Sequence, residues 1–130
     1  MEIEIVIPRG MITMKSVAWG GKAPEEFRSS QEAIRHAVQT SESSAQLKQW
    51  LESRTRLHLS AEFHLSKQRA SKTDMDSLLS DLFNPLVEGA CGPRPAGKPI
   101  PQTKDALFWE VVARKIESED EKTALKIRPA

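Results

Sequence analysis

A strict alternation of apolar and polar residues over residues 57–65 is the clearest pattern in the chain. Leucine, alanine and phenylalanine occupy the odd positions, and polar or charged side chains occupy the even ones. Because successive side chains of a strand point to opposite faces, this period predicts a strand with one buried face and one polar face. A shorter alternation over residues 2–7 ends at Pro8 and predicts another strand.

Apolar residues at helical spacing predict the helices. Residues 25–39 follow Pro24, place two glutamates at the positive end of the helix dipole, and predict an amphipathic helix. A short apolar set within residues 47–51 marks a second helix or a continuation of the first. Residues 78–87 are strongly amphipathic, and Pro85 should kink that helix or shorten its last turn.

The remaining segments complete an α+β prediction. Three further strands are expected, at residues 11–17, 107–116 and 123–127. The strand at 107–116 should be buried, and the last one should return beside it as an edge strand. Polar residues 67–72 are expected to form a basic loop, and residues 89–104, rich in proline and glycine, a long loop of the kind that is often functional. We predict a single domain over residues 1–130, a mixed sheet with two or three hairpins, and about two helices.

Composition places the chain among ordinary globular proteins. It has 130 residues, 38% of them apolar and 28% charged, and a formal net charge of +1. The single Cys91 excludes an intramolecular disulfide and a thiolate metal site. No apolar stretch reaches the ~20 residues that a transmembrane helix needs, so we expect no membrane partner. Taken as a whole, a charge so close to neutral also argues against a nucleic-acid partner.

The charges are nevertheless ordered along the chain. Residues 54–72 hold five basic residues against one acid, residues 73–88 hold four acids and no base, and residues 89–104 hold three basic residues and no acid. This order is either scatter on a solvated surface or a carboxylate cluster for a cation, flanked by bases that bind a polyanion. The second interpretation is the layout that a metal-dependent nuclease needs.

Asp74 and Asp76 lie one residue apart where the predicted basic loop enters a helix. Either could be a helix N-cap, whose side chain accepts hydrogen bonds from the first free amides. If the backbone there is extended, both carboxylates can instead approach one hard cation, which prefers oxygen ligands. Such a site needs a third anionic group. Asp105, just before a predicted strand, is the leading candidate for it, and its alternative role is that of a solvated residue at the end of a loop.

Two stretches of the chain resemble a known family. Residues 72–86, KTDMDSLLSDLFNPL, and residues 104–111, KDALFWEV, resemble the signature of the RusA family of Holliday-junction resolvases. In that family a basic-Asp-x-Asp-Asn-Leu pattern opens an apolar helix, and a later aspartate begins a long strand. The order of the predicted elements and the chain length also fit, so the resemblance covers nearly the whole chain.

The resemblance implies a small homodimeric, magnesium-dependent endodeoxyribonuclease, with manganese as a substitute metal. Its substrate would be branched double-stranded DNA in recombination and repair, and its location the cytoplasm, in a bacterial or phage-encoded protein. The resemblance makes Asp74, Asp76 and Asp105 the expected catalytic residues and metal ligands. Neighbouring basic residues are the expected contacts to the DNA backbone, which position a protein on DNA: Lys67, Arg69, Lys72, Lys98 and Lys104.

Two positions depart from the family pattern. Ser77 stands where the family has asparagine, and Ser80 stands where a lysine is expected that could steer the phosphate. Lys72 and Lys104 are the candidates to replace that lysine. The alternative function is therefore a DNA-binding or interaction module that keeps the fold with weakened or absent catalysis. The charged residues 120–122 are expected to be a solvated turn.

Overall fold

The computed structural model describes residues 1–17, 23–93 and 104–130. In chain order the elements are strand β1 (Ile3–Ile7), helices α1 (Met14–Val17), α2 (Ala23–Thr40) and α3 (Ser44–Glu52), strand β2 (Leu57–Leu65), helices α4 (Lys67–Lys72) and α5 (Met75–Cys91), a 3₁₀ helix (Lys104–Leu107), and strands β3 (Phe108–Glu117) and β4 (Lys122–Pro129). The four strands form one mixed sheet packed by helices, which confirms the predicted α+β class.

The strands lie in the order β1-β4-β2-β3. Strand β4 is antiparallel to both β1 and β2, whereas β3 runs parallel to β2. The parallel pair arises because α4 and α5 carry the chain back, so that β3 begins at the same end of the sheet as β2. Residues 118–121 then cross the far end of β2, where the Ser118 N–H donates to the Leu65 carbonyl at 2.9 Å. Strand β4 therefore enters on the other side of β2.

Helices cover one face of this sheet. All odd residues of β2 are buried, and β1 and β4 add alternate isoleucine and leucine side chains to the same face. The helical side chains that complete this core are Ile34, Val38, Leu47, Leu51, Leu78, Leu82 and Leu86. Each such side chain contributes roughly 1.5–3 kcal/mol on burial, so this layer is the main source of stability. The even residues of β2 are only partly buried and lie on the opposite face, as predicted.

Two short helices replace elements that were predicted otherwise. Residues 11–17 do not form a strand, because Met14–Val17 is a helix whose first amide donates to the Asp81 carboxylate at 2.9 Å. The expected basic loop at 67–72 is helix α4, whose N-cap Ser66 accepts a hydrogen bond from the Arg69 N–H. Both segments lack apolar periodicity, so capping and tertiary contacts decide their conformation.

Helix α5 is longer than the apolar pattern indicates. It continues through the buried Pro85 to Cys91, so the predicted shortening at the proline is wrong. The helix ends at Gly92, whose φ of 88° lies in the left-handed region that glycine adopts readily and whose N–H donates to the Glu88 carbonyl. Within the predicted loop 89–104, residues 94–103 lie outside the described residues.

The predicted roles of the last two strands are reversed. Strand β3, expected to be buried, is an edge strand with mostly exposed side chains. Strand β4, expected to lie at the edge, is central and buries Thr123, Leu125 and Ile127. The prediction of two or three hairpins is wrong for the described strands: β4 lies between β1 and β2, β2 and β3 are parallel, and β2 lies between β3 and β4. The apolar content of β3 indicates a strand but does not reveal its place in the sheet.

Candidate functional site

Asp74 and Asp76 lie at the start of α5, as predicted. Asp74 is the N-cap residue, with extended backbone at φ −74° and ψ 141°, and Asp76 lies in the first helical turn. The Asp74 side chain makes no capping hydrogen bond; its backbone carbonyl accepts the Leu78 N–H at 3.1 Å. Asp74 thus holds the N-cap position through its backbone alone. Both carboxylates are exposed and remain available for other partners.

The partner of the Asp74 carboxylate is Lys15 of α1. Lys15 Nζ lies 2.6 Å from Asp74 Oδ2, and both side chains are more than half exposed. The hydrogen bond and the charge of Lys15 lower the pKa of Asp74 below its usual 3.8, and the charge of Lys115 lowers it further. Asp74, and to a smaller extent the charge of Asp76, raise the pKa of Lys15 above its usual 10.5. Asp74 is therefore ionised at neutral pH, and Asp76 lies near the same ammonium group.

Lys115 of β3 also lies close to Asp74, on the side of the sheet. Its Nζ donates to the carbonyls of Ala70 at 2.7 Å and Thr73 at 3.0 Å, at the C-terminal end of α4. A cation is stabilised there by the helix dipole. Because Thr73 directly precedes Asp74, the Lys115 ammonium lies beside the acidic pair. Two lysines, from α1 and from β3, thus stand next to Asp74.

Sequence reasoning missed both of these lysines. Lys115 could have been identified from the sequence, because it places a charge on the same side of β3 as the apolar residues Val111 and Ala113. A lysine among residues that face a helix layer indicates an acceptor within reach. Lys15 had no comparable signal, since its contact with Asp74 spans 59 residues of chain.

The third predicted ligand, Asp105, lies in the 3₁₀ helix Lys104–Leu107. That helix contacts α5 and contains the buried Leu107. The side chains of Lys104 and Asp105, and Lys98 as a whole, lie outside the described part of the structure. Convergence of the three aspartates stays a prediction.

The basic residues of α4 have different surroundings. Lys67 and Lys72 are exposed at the two ends of the helix and can reach a phosphate. Arg69 is half-buried, and its guanidinium group donates both to the Glu121 carboxylate and to the Met11 carbonyl. This geometry gives Arg69 a structural role instead of the predicted phosphate contact. Glu121 also accepts the Ser66 N–H at 2.9 Å, so the prediction of a solvated turn is wrong for this residue.

The four acids of residues 73–88 also differ in their surroundings. The Asp81 carboxylate accepts the Met14 N–H, and its carbonyl accepts the Gln31 side-chain amide at 2.7 Å. Glu88 pairs with Arg35 of α2 at 3.7 Å. These two acids attach α1 and α2 to α5, whereas Asp74 contacts α1 only through the exposed Lys15, and both Asp74 and Asp76 are exposed.

The donor set suits a hard cation only in part. Among the described side chains, no three histidine, cysteine, aspartate or glutamate residues are grouped closely enough to hold a metal ion. Asp74 and Asp76 provide two exposed carboxylates, which magnesium prefers as ligands, and this ion keeps several of its waters in protein sites. The residues therefore fit magnesium chemically, with Asp105 as the candidate that would complete the set.

A comparison with protein-family models finds no match for this chain, and a comparison with curated proteins finds none either. The likeness to the RusA signature therefore remains a resemblance of motifs. Within residues 1–17, 23–93 and 104–130, no helix has both the length and the apolar character needed to cross a bilayer.

Proposed function

We propose that the chain is a magnesium-dependent endodeoxyribonuclease that cleaves branched double-stranded DNA, as the resemblance to the RusA family implies. The observation that carries this proposal is the Asp74 carboxylate: it is ionised and exposed, and it is not used to cap its own helix. Asp76 accompanies it in the first turn of α5. Two exposed carboxylates so close in the chain, one of them on extended backbone, offer the oxygen ligands that a hard cation prefers.

In this mechanism Asp74 and Asp76 would hold the metal, with Asp105 as the third ligand. Bound there, magnesium would supply a water of lowered pKa and polarise the scissile phosphate. Manganese would serve as a substitute. Lys15 and Lys115, beside Asp74, are placed to attract the phosphate and to balance the negative charge that develops on it. They join Lys72 and Lys104 as candidates for the lysine that the family pattern expects.

DNA would be held by exposed bases at the ends of α4, Lys67 and Lys72, together with Lys98 and Lys104. Contacts of this kind set the position of a protein on DNA and give binding its salt dependence, without selecting a base sequence. The proposal places the protein in the cytoplasm, where DNA is accessible. The low net charge then means that binding is confined to one surface.

The test is a cleavage assay with magnesium on a four-way junction, a flap and a linear duplex. Asp76→Asn should abolish cleavage of the branched substrates and leave DNA binding intact, because it removes a metal ligand without adding charge repulsion. Asp120→Asn, at an exposed aspartate in the turn 118–121, is the matched control and should cleave like the wild type. Cleavage that survives Asp76→Asn would overturn the mechanism.

A DNA-binding or interaction module without catalysis is the second candidate. It is favoured by the position of Lys15, whose ammonium already neutralises Asp74, and by Ser80, which replaces the expected lysine. In that case DNA would be bound but left uncut in every substrate. Magnesium would then produce no rise in melting temperature, whereas the nuclease should be stabilised by a cation that binds only the folded state.

A further inference from the structure

Strand β3 exposes more apolar surface than any other strand. It lies at the edge of the sheet, and Trp109 is 61% exposed and Val112 57% exposed. Val111 is also exposed, so this strand contributes three of the six large hydrophobic side chains that are exposed in the described part of the chain. An edge strand with such side chains is a template for pairing with another strand.

The edge lacks part of the usual protection, although four of its residues are charged: Glu110, Arg114, Lys115 and Glu117. Strand β3 has 10 residues and contains neither proline nor glycine. Its one irregularity lies at its start, where the register with β2 shifts beside Leu57, so residues 110–117 pair regularly. The outer edge β1 has 5 residues, ends directly before Pro8 and carries Glu4. Short and proline-terminated edges resist strand addition more than long regular ones do, and charges on a long edge oppose a partner strand that brings like charges beside them.

The regular part of β3 is complementary to itself. A two-fold axis through Val112 places Val112 opposite its own copy and Val111 opposite Ala113. The same axis places Glu110 opposite Arg114, in both halves of the pair. On the uncovered face both charged side chains are more than half exposed, although Arg114 bonds to Glu62 and Glu110 lies beside His58. Opposite charges on facing positions stabilise antiparallel pairs, and like charges destabilise them.

Existing contacts on the uncovered face fit this arrangement. The Arg114 guanidinium group donates from Nε to Glu62 at 3.0 Å, and Glu110 lies 3.5 Å from His58 Nδ1. A guanidinium group has five donors, so Arg114 can keep Glu62 and bind a second carboxylate. Across the two-fold axis, the Arg114–Glu62 pair of one chain and the Glu110–His58 pair of the other would join into one network of alternating charge.

We infer that β3 pairs antiparallel with β3 of a second copy of this chain, about a two-fold axis at Val112, so that the two sheets form one eight-stranded sheet. A two-fold contact of this kind closes on itself and stops at the dimer. The inference rests on the strand alone and holds whether or not the chain cleaves DNA.

The first test is the molecular mass in solution over a wide range of protein concentration, by sedimentation or light scattering. The wild type should reach twice the 14.6 kDa of one chain. Val112→Lys places two lysines side by side on the axis and should weaken the dimer by about tenfold or more. Val6→Lys, at an equally exposed valine on β1 (54%), is the matched control and should leave the dimer unchanged. Circular dichroism establishes that both variants are folded.

The second test fixes the register. Facing residues of an antiparallel pair have Cα atoms about 4.5–5.5 Å apart, within the range that a disulfide spans. In a Cys91→Ser background, Val112→Cys should form a covalent dimer on mild oxidation, and Val6→Cys should not. The inference is overturned if the wild type stays monomeric at every concentration, if Val112→Lys leaves the dimer intact, or if Val6→Cys crosslinks as readily as Val112→Cys.

Discussion

Two ion pairs, Arg69–Glu121 at α4 and Lys15–Asp74 at the start of α5, differ in exposure and in their contacts with the backbone. Arg69 and Glu121 have side chains only 28% and 24% exposed, and each also bonds to the backbone, at Met11 and Ser66. Lys15 and Asp74 have side chains 67% and 57% exposed, with a single hydrogen bond between them. The first pair fastens the segment after β1 and the β3–β4 turn to α4. The second leaves a carboxylate and an ammonium accessible to ligands.

Exposure and backbone contacts therefore separate structural charges from charges that are accessible to a ligand. A partly buried pair whose remaining donors and acceptors are satisfied by the backbone is part of the scaffold, because breaking it leaves an uncompensated charge. An exposed pair contributes little to stability and can be exchanged for another partner at small cost. By this criterion the acidic pair at the start of α5, and not the cluster around Arg69, is where a ligand can bind.

Substitutions in the partly buried Arg69–Glu121 pair should destabilise the protein most. Arg69→Met should lower the free energy of unfolding by roughly 2–3 kcal/mol, since it removes the donor of the Met11 carbonyl and leaves the Glu121 charge with only the Ser66 N–H. Glu121→Gln should cost less, because the amide oxygen can still accept from Ser66. Denaturant unfolding measures both, with Lys15→Met as the control of similar chemistry. Equal losses in Arg69→Met and Lys15→Met would remove the distinction between the two pairs.

Substitution of Gly10, which lies against the partly buried Arg69–Glu121 pair, should lower the free energy of unfolding by a smaller amount. A methyl group on Gly10 would come within 2.8 Å of Arg69 Nη1 and would also meet the Glu121 carboxylate. Gly10→Ala should therefore destabilise the fold by about 1–2 kcal/mol, because the two side chains must shift to make room. In the Arg69→Met background the same change should cost less, since one of the clashing groups is gone. Full additivity of the two substitutions would contradict this explanation.

The sequence predicted what depends on periodicity and missed what depends on tertiary placement. Strand β2 and helix α2 were predicted because their apolar residues repeat at two and at 3.6 positions. The place of β3 at the edge was missed, because burial depends on which strand lies beside it, and here the crossover through α4 and α5 decides that. Helix α4 has no apolar stripe, although its cap residue Ser66 was a usable signal.

The candidate site was predicted in the same uneven way. The spacing of Asp74 and Asp76 and the start of a helix beside them are local features, and the predicted helix start is confirmed. The surrounding charges are not local: Lys15 comes from α1, Lys115 from β3, and Glu121, which removes Arg69 from the surface, from the turn before β4. Residue type could not tell a phosphate-binding arginine from a structural one, because only burial and partners distinguish them.

The exposed pair Lys15–Asp74 should contribute least to the free energy of unfolding, and its contribution depends on pH. Because Lys15 lowers the pKa of Asp74 below its usual 3.8, the pair contributes stability above that value and loses it as the pH falls through the lower pKa of the folded state. On the basic side Lys15 has a pKa raised above 10.5, so the contribution is lost only when the pH rises through that raised value. Lys15→Met should therefore leave the denaturant midpoint close to the wild type at neutral pH and indistinguishable from it in strong acid.

The direct measurement is a carboxyl NMR titration of Asp74 in both proteins. The titration midpoint should move up toward the usual aspartate value in Lys15→Met, since the hydrogen bond and charge that lower it are gone. In the same variant, magnesium should bind more tightly, because the Lys15 ammonium no longer occupies the Asp74 carboxylate. DNA cleavage should nevertheless fall if Lys15 balances the negative charge that develops on the phosphate. An unchanged Asp74 midpoint would mean that Lys15 and Asp74 are not paired in solution, and the contrast between the two ion pairs would then rest on Arg69 and Glu121 alone.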